Sequence, residues 1–399
     1  MIYKQASAIN SIKERAMYWL LKLADYFYLA PRPKYSNTQT KWVLLVKLDL
    51  LGDYVLIRNF LQSLKESEQY KNHKVAFCCN AGVQEISQKL DAEFVDQWIP
   101  LKLKPFVKDF KYRKSVLAQL RAQHYQAAIF PTQSRSFFYD NIIAQMVSAD
   151  QKIAPLGNAY NQIKWQRQLG DKWFDKLIAQ DFKYEFEFAL NRNFFKSILP
   201  KQSLPLFPKI QMAINQKQNA VLVSPGASAE FRRWSIENFA KIIEHVLSHY
   251  KNLNVLISGA PAEQKICEKL KAHFAQNTRV TNVCGQLKLS DLALKLNTCL
   301  AVVTNESGVT HLAKAIGVPY IYCISNANHY QRFNPYPKDD SGVKMRYFYP
   351  ENFLQALEQN KANAFKKYYW GSSISIESVK AENVKRQVKD DFTKFYKLS

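Results

Sequence analysis

Twice along this chain, short apolar runs of strand length alternate with stretches of helical periodicity, and that alternation admits few folds. In the first block "WVLLV", "KVAFCC" (74–79), "FVDQWIP" (94–100) and "QAAIF" (126–130) are separated by helical patterns ending near 67, then at 82–90 and 107–122. In the second block "AVLVS" (220–224), "NVLIS" (254–258), "TNVCG" (281–285), "LAVVT" (300–304) and "PYIYCI" (319–324) are separated by helical patterns at 236–250, 261–275, 290–297 and 309–316. Strands that alternate with helices predict a parallel sheet covered on both faces. The three prolines of "PKQSLPLFPKI" (200–210) mark the linker between the blocks. Two α/β blocks of similar size so joined predict two Rossmann-like lobes with a cleft between them. The expected division is an N-terminal extension (1–40), a first lobe (41–205), a second lobe (206–350) and a helical C-terminal extension (351–399). Residues 155–200 read as helical and aromatic but weakly patterned, and "KRQVKDDFTKFYK" near the end reads as a solvated mixed-charge face.

Charge narrows the partners. The 399 residues carry 56 basic against 33 acidic side chains, a net charge of +23. That excess calls for an anionic partner: a phosphorylated substrate, a membrane surface or nucleic acid. The basic, aromatic stretch "LKLKPFVKDFKYRKSVLAQLRAQ" (101–123) matches no nucleic-acid recognition motif and suits a phosphate-bearing acceptor equally well. The six cysteines form no CxxC pair and most lie in apolar runs, which fits a reducing compartment better than a disulfide framework. His245 and His249 are four apart but lack HExxH and a third ligand, so they read as a solvated helix face and not a metal site.

No apolar run reaches 18 residues, the length that spans a bilayer, and no signal-peptide cleavage pattern is present. The N-terminal extension still carries a helical stripe of Ile9, Ile12, Ala16, Trp19, Leu20, Leu23 and Phe27. Lys13, Arg15 and Lys22 lie beside it, and Pro31 and Pro33 stop it. Such a basic aromatic helix either lies in a membrane interface or packs its stripe on the protein's own core.

Three loops hold the chemistry. In "LDLLGDYVLIRNFLQSLKE" (48–66) a turn with Gly52 and Asp53 joins a strand to a helix. It lies at the carboxyl edge of a parallel sheet, where open α/β folds bind ligands. Asp53 reads either as a helix cap or as a catalytic carboxylate. In "SPGASAEFRRWSIENF" (224–239) Gly226 permits close backbone approach, Ser235 is a plausible helix cap, and Arg232 and Arg233 precede a helix start. Gly-rich turn, arginine pair and helix N-terminus together make a diphosphate cradle. In "TNESGVTHLAKAIGVP" (304–319) the N–H groups near Ser307 and Gly308 suit another phosphate or ribose oxygen. Glu306 is placed to orient hydroxyls or a cation, and His311 lies one turn inside the helix that Gly317 and Pro319 end. No GxGxxG follows the first strand, and neither GxxxxGK[ST] nor GxSxG occurs.

In order and spacing, "VLLVKLDLLGDYVL", "VSPGASAEFRRWSIENFAKI" and "CGQLKLSDLALKLNTCLAVVTNESGVTHLAKAIGVPYIYCI" resemble the heptosyltransferase-like glycosyltransferases of family 9, over about residues 41–340. The resemblance implies the GT-B architecture, with acceptor on the first lobe and nucleotide-sugar on the second. It implies inverting transfer without a bound metal or cofactor, most often of heptose from an ADP-sugar to the lipopolysaccharide or lipooligosaccharide core. The partners it implies are that donor and an anionic lipid-linked saccharide acceptor, with no nucleic acid. The place is the cytoplasmic face of the inner membrane of a Gram-negative cell, held peripherally. Asp53 matches the family's presumed general base. Gly226, Ser228, Arg232, Arg233, Glu263, Leu287, Glu306, Ser307, Gly308 and His311 match its donor-binding positions. Arg232 stands where lysine is usual, and Glu306 where aspartate is common. These departures leave a UDP- or GDP-hexose donor as the alternative, beside a catalytically inert membrane-binding relative.

Overall fold

The computed structural model describes residues 8–29, 40–180, 185–213 and 219–398. Pro31 and Pro33 and the side chain of Ile9 lie outside the described residues. The described chain falls into two compact units. The first lies within residues 1–50, 57–182 and 190–206, and the second within 51–56, 183–189 and 207–399.

The first unit is a six-stranded parallel sheet built from β1 (Trp42–Lys47), β2 (Lys74–Asn80), β3 (Gln97–Leu101), β4 (His124–Ile129), β5 (Ser148–Pro155) and β6 (Lys176–Ile178). Its order is β3-β2-β1-β4-β5-β6. The central strand β1 is apolar throughout its middle because both faces are covered. Leu45 pairs with Phe77 on one side and Ile129 on the other. The outer strands β5 and β6 gave no strand signal in the sequence, since "SADQKIAP" is polar for most of its length and buries only its last three residues.

The second unit repeats that plan with β7 (Ala220–Ser224), β8 (Asn254–Ile257), β9 (Val280–Asn282), β10 (Ala301–Asn305), β11 (Tyr320–Ile324) and β12 (Lys344–Phe348). Its order is β12-β11-β10-β7-β8-β9, all parallel. Counted from its own first strand, this is the same order as the first sheet. In each unit the topological switch point, where such folds bind ligands, falls between the first and fourth strands.

Three expectations need correction. The C-terminal stretch is not merely a solvated face. Helix Ala381–Leu398 buries Val384, Val388 and Phe392 in the second unit's core, and Phe392 packs on Tyr250, Tyr320 and Tyr322. Its Asp391 is buried, pairs with Arg346 at 2.6 Å and accepts from the Tyr322 hydroxyl at 3.3 Å. The apolar residues recur every four positions, so the many charges on the other faces hid the stripe. His245 is likewise buried rather than solvated. Burial, with His249 and the lysines of that last helix nearby, pushes its pKa down to about 4. Ser235 precedes helix Ile236–His249 but makes no capping hydrogen bond through its side chain. All six cysteines are free and buried.

Candidate active site

The loop after β7 is tied down by the end of β10. Asn305 donates through Nδ2 to the Pro225 carbonyl at 2.7 Å and accepts through Oδ1 from the Trp234 N–H at 3.1 Å. The Trp234 indole donates to the Val379 carbonyl at 3.0 Å, which anchors the loop in the core. Arg233 is held within the loop, its Nε donating to the Ala227 carbonyl at 3.0 Å. A β-carbon on Gly226 would stand 2.0 Å from Glu263 Oε1, so only glycine admits that carboxylate here. Glu263 in turn accepts from the Ala260 N–H at 2.8 Å. Gly226 and Glu263 are thus brought together from loops after neighbouring strands, while Ser228 stays exposed and Leu287 is half-buried in the turn after β9.

Arg232 and Glu306 form a pair that the sequence did not announce. The Arg232 Nη2 donates to the Glu306 carbonyl at 2.7 Å and to its Oε1 at 3.0 Å. Glu306 is buried, and its other oxygen accepts from the Ser325 hydroxyl at 2.6 Å. Burial pushes this carboxyl up, and Arg232, Ser325 and Asn334 pull it part of the way back. Glu306 was expected to orient hydroxyls or a cation; here its oxygens are engaged by protein donors. Arg232 Nε is buried with no hydrogen-bond partner among the described residues, a fixed cationic donor with capacity to spare.

Ser307 caps helix Gly308–Ile316 by accepting from the Val309 N–H at 3.3 Å, and Gly317 ends it at φ +91°. This helix meets the short helix Leu51–Ile57 through two glycines. A β-carbon on Gly52 would lie 2.9 Å from His311 Cδ2, and one on Gly308 would lie 2.9 Å from Leu51 Cβ. Gly52, which packs on His311, is followed in the chain by Asp53, which lies in the first turn of its helix, half-buried, with its charge felt by Arg332. His311 is buried, its Nδ1 paired with the Tyr336 hydroxyl at 2.7 Å. Burial, then the charge of Arg232, pushes its pKa down to about 3, so it is a neutral imidazole at physiological pH.

The loop after β11 escaped sequence reasoning. It holds Ala327, His329 and Gln331 at φ of 64°, 54° and 69°, a left-handed backbone that side chains other than glycine rarely adopt. Strain of this kind collects at functional sites. From it Tyr336 reaches His311, Asn334 reaches Glu306, and Arg332 pairs with buried Glu187 at 2.8 Å. Burial works against the Arg332 charge, but Glu187 and, more weakly, Asp53 outweigh it and hold the guanidinium protonated. No glycine or familiar spacing marks this loop; the run "NANHYQRFNPY" was the only signal.

The first unit's switch point has a different texture. Lys47 pairs with Asp49 at 2.8 Å at the end of β1. After β4, four consecutive buried side chains each carry a polar atom without a partner among the described residues: Thr132 Oγ1, Gln133 Oε1, Ser134 Oγ and Arg135 Nε. Nearby Asp140 is buried and accepts from the Ser136 N–H at 2.8 Å. Burial, with help from Asp49, pushes its pKa up to about 6 against the pull of Ser136, Lys47 and Arg135.

The model of glycosyltransferase family 9 (heptosyltransferase) matches residues 148–360. The chain belongs to this family. The lipopolysaccharide core heptosyltransferase OpsX of Haemophilus influenzae is 30% identical over 161 residues, 36% of this chain and 44% of that protein. The lipooligosaccharide heptosyltransferase 2 of Campylobacter jejuni is 30% identical over 153 residues, 37% of this chain and 47% of that protein. The matched part of this family 9 chain thus spans less than half the length of these relatives. Among solved structures, a family 9 glycosyl transferase from Veillonella parvula aligns with a TM-score of 0.64 at 15% identity, covering 88% of this chain and 96% of that one. The E. coli heptosyltransferase WaaC with ADP aligns with a TM-score of 0.62 at 16% identity, covering 88% and 99%. These structural likenesses show the fold: two Rossmann-like units, the GT-B architecture.

Proposed function

We propose that this chain is an inverting glycosyltransferase that moves heptose from ADP-heptose onto the lipopolysaccharide or lipooligosaccharide core, at the cytoplasmic face of the inner membrane. The observation that carries the reading is Arg232, a half-buried guanidinium at the second sheet's switch point whose Nε has no partner among the described residues. It is the donor a departing diphosphate needs. Arg233, Gly226 and the capped N-terminus at Ser307 and Gly308 surround the same loop ends, and Glu263 is the acid for the nucleoside. Family relatives named as heptosyltransferases, and one solved with an ADP-2-deoxy-2-fluoro heptose, support the choice of sugar.

Asp53 is the general base in this reading. An inverting transfer needs one carboxylate to take the acceptor hydroxyl's proton as the oxygen attacks the anomeric carbon from the face opposite the nucleotide. The C–O bond to the diphosphate breaks in the same step, and fixed cations stabilise the leaving oxygens. Arginines and a helix N-terminus supply that charge, so the transfer is expected to need no resident metal. His311, which packs on Gly52 next to the base in the chain, is neutral and does not compete for the proton. The acceptor falls to the first unit, where Thr132, Gln133, Ser134 and Arg135 offer unpartnered polar atoms suited to a polyhydroxylated, anionic saccharide.

Melting the protein with ADP, UDP, GDP and CMP at equal concentrations tests the donor. Selective stabilisation by ADP supports it, since a ligand at a hundred times its dissociation constant adds about 2.7 kcal/mol. Selective stabilisation by UDP or GDP replaces the sugar and keeps the mechanism. No response to any nucleotide overturns the reading in favour of an inert relative.

A further inference from the structure

The N-terminal helix has two apolar faces, and its own unit uses only one. Helix Ala8–Tyr28 buries Tyr18 and Leu21 to 4% and 1% exposure. Tyr18 sits against Phe137 at 5.4 Å in the first unit's core. Asp25 on the same side is clamped by Arg113 at 2.7 and 2.6 Å, and Glu14 accepts from Gln166 at 2.8 Å. The helix is therefore docked, and both its acids are engaged on the docked side.

The stripe read from the sequence is the other face. Ile12, Trp19, Leu20, Leu23 and Phe27 are 54–70% exposed, and Tyr26 is 79% exposed. At about 100° per residue these six positions and Ala16 fall within roughly 120° of the helix circumference, opposite Tyr18, Leu21 and Asp25. Lys13 borders that arc on one side and Arg15 and Lys22 on the other, all exposed, with Lys22 over the Trp19 ring at 4.7 Å. The segment to which Asp25 is clamped adds exposed Lys102, Lys104, Lys108, Lys111 and Lys114.

We propose that this outward face docks the protein on an anionic lipid bilayer, lying in the plane of the headgroups. An apolar arc fringed by lysine and arginine, with Trp and Tyr among its members, is the pattern of an interfacial helix. Protein–protein interfaces are depleted of lysine relative to the rest of the surface, whereas lysine borders this arc on both sides. The helix is not long and apolar enough to cross a membrane, as holds for every helix among the described residues. The inference refines the membrane placement in the functional reading but stands on its own surface, which includes neither Asp53 nor Arg232.

The test is co-sedimentation of the full chain with vesicles of phosphatidylcholine alone or with phosphatidylglycerol. The wild type is expected to bind the anionic vesicles, less so as salt rises. Combining Trp19→Glu, Leu23→Glu and Phe27→Glu should weaken binding by at least ~10-fold, since it places charge on the inserted face. Its melting temperature and its transfer to a deacylated, water-soluble acceptor should stay unchanged, because those side chains touch solvent. Lys13→Glu with Lys22→Glu should remove the preference for anionic vesicles. Wild-type vesicle binding that is absent, or untouched by the triple substitution, overturns the proposal. So does a concentration-dependent dimer that the triple substitution splits, which assigns the face to a second copy. Loss of transfer on every acceptor with vesicle binding intact would overturn the enzymatic reading and leave the docking face standing.

Discussion

Both sheets run in one order, with the reversal between β1 and β4 in the first unit and between β7 and β10 in the second, yet their switch points differ in the share of buried polar atoms left open. The second is built on two buried ion pairs, Arg232 with Glu306 and Arg332 with Glu187, with a neutral hydrogen bond between His311 and Tyr336 beside them. The first has ion pairs too, Lys47 with Asp49 and Arg135 with Asp171, but adds a run from Thr132 to Arg135 of buried side chains that each carry one atom without a partner among the described residues, beside Asp140, whose pKa burial raises. Paired charges fix donors in advance, which suits a group that must meet the same diphosphate each turnover. Buried polar atoms left open suit a ligand rich in hydroxyls, such as the saccharide acceptor proposed above. One topology therefore carries a preorganised edge and a receptive one.

The largest effect expected is at Asp53. Asp53→Asn should lower kcat by ~10²–10⁴, the usual worth of a positioned base. Donor affinity, measured by calorimetry, should hold. Turnover within about tenfold of wild type would remove Asp53 from the role. The pH profile should show no step near 6.5 from His311, whose pKa lies at about 3.

Next is the charge pair itself. Arg232→Gln strands Glu306 as a buried carboxylate without its cation, an arrangement that costs about 3–5 kcal/mol. Adding Glu306→Gln should restore most of the melting temperature while transfer stays low. Recovery of transfer in the double variant would mean that Arg232 serves structure alone and would erase the contrast between the two edges. Arg332→Gln makes the companion case. It should move the acid limb of kcat/KM upward, because a cation near Asp53 favours its ionised form. An unmoved limb would confine Arg332 to its pairing with Glu187.

How much of this was legible follows from what kind of signal each part leaves. The central strands announced themselves because burial on both faces demands continuous apolar runs. The outer strands β5, β6 and β12 did not, since strands at or near a sheet edge keep polar residues. Asp53, Gly226, Arg232, Glu306 and His311 were visible as motif members, because glycine turns and helix starts have fixed local spacing. The pairing of Arg232 with Glu306 was not, since it joins residues 74 apart through tertiary contact. Arg332, Asn334 and Tyr336 were invisible for a further reason. Their loop is shaped by left-handed residues that are not glycine, so its backbone left no compositional mark.

The smallest of these effects sharpens the receptive edge. Asp140 has its pKa raised from 3.8 to about 6. Between those values the folded protein holds a proton that the unfolded chain has released, so stability must fall as pH rises through that window. The loss should reach on the order of 2–3 kcal/mol, at about 1.4 kcal/mol per pKa unit. Asp140→Asn keeps an oxygen for the Ser136 N–H and cannot ionise, so the wild type should lose stability relative to it from about pH 4 to pH 6 and run parallel above. Chemical denaturation of both proteins across that range checks the sign. Parallel curves throughout would make Asp140 an ordinary carboxylate and leave the open valences of residues 132–135 as the only difference between the two edges. A wild-type curve that falls as expected, and whose fall extends to higher pH when a soluble anionic saccharide is added, would tie the raised carboxyl to the proposed acceptor site, since a nearby anion raises a carboxyl pKa further.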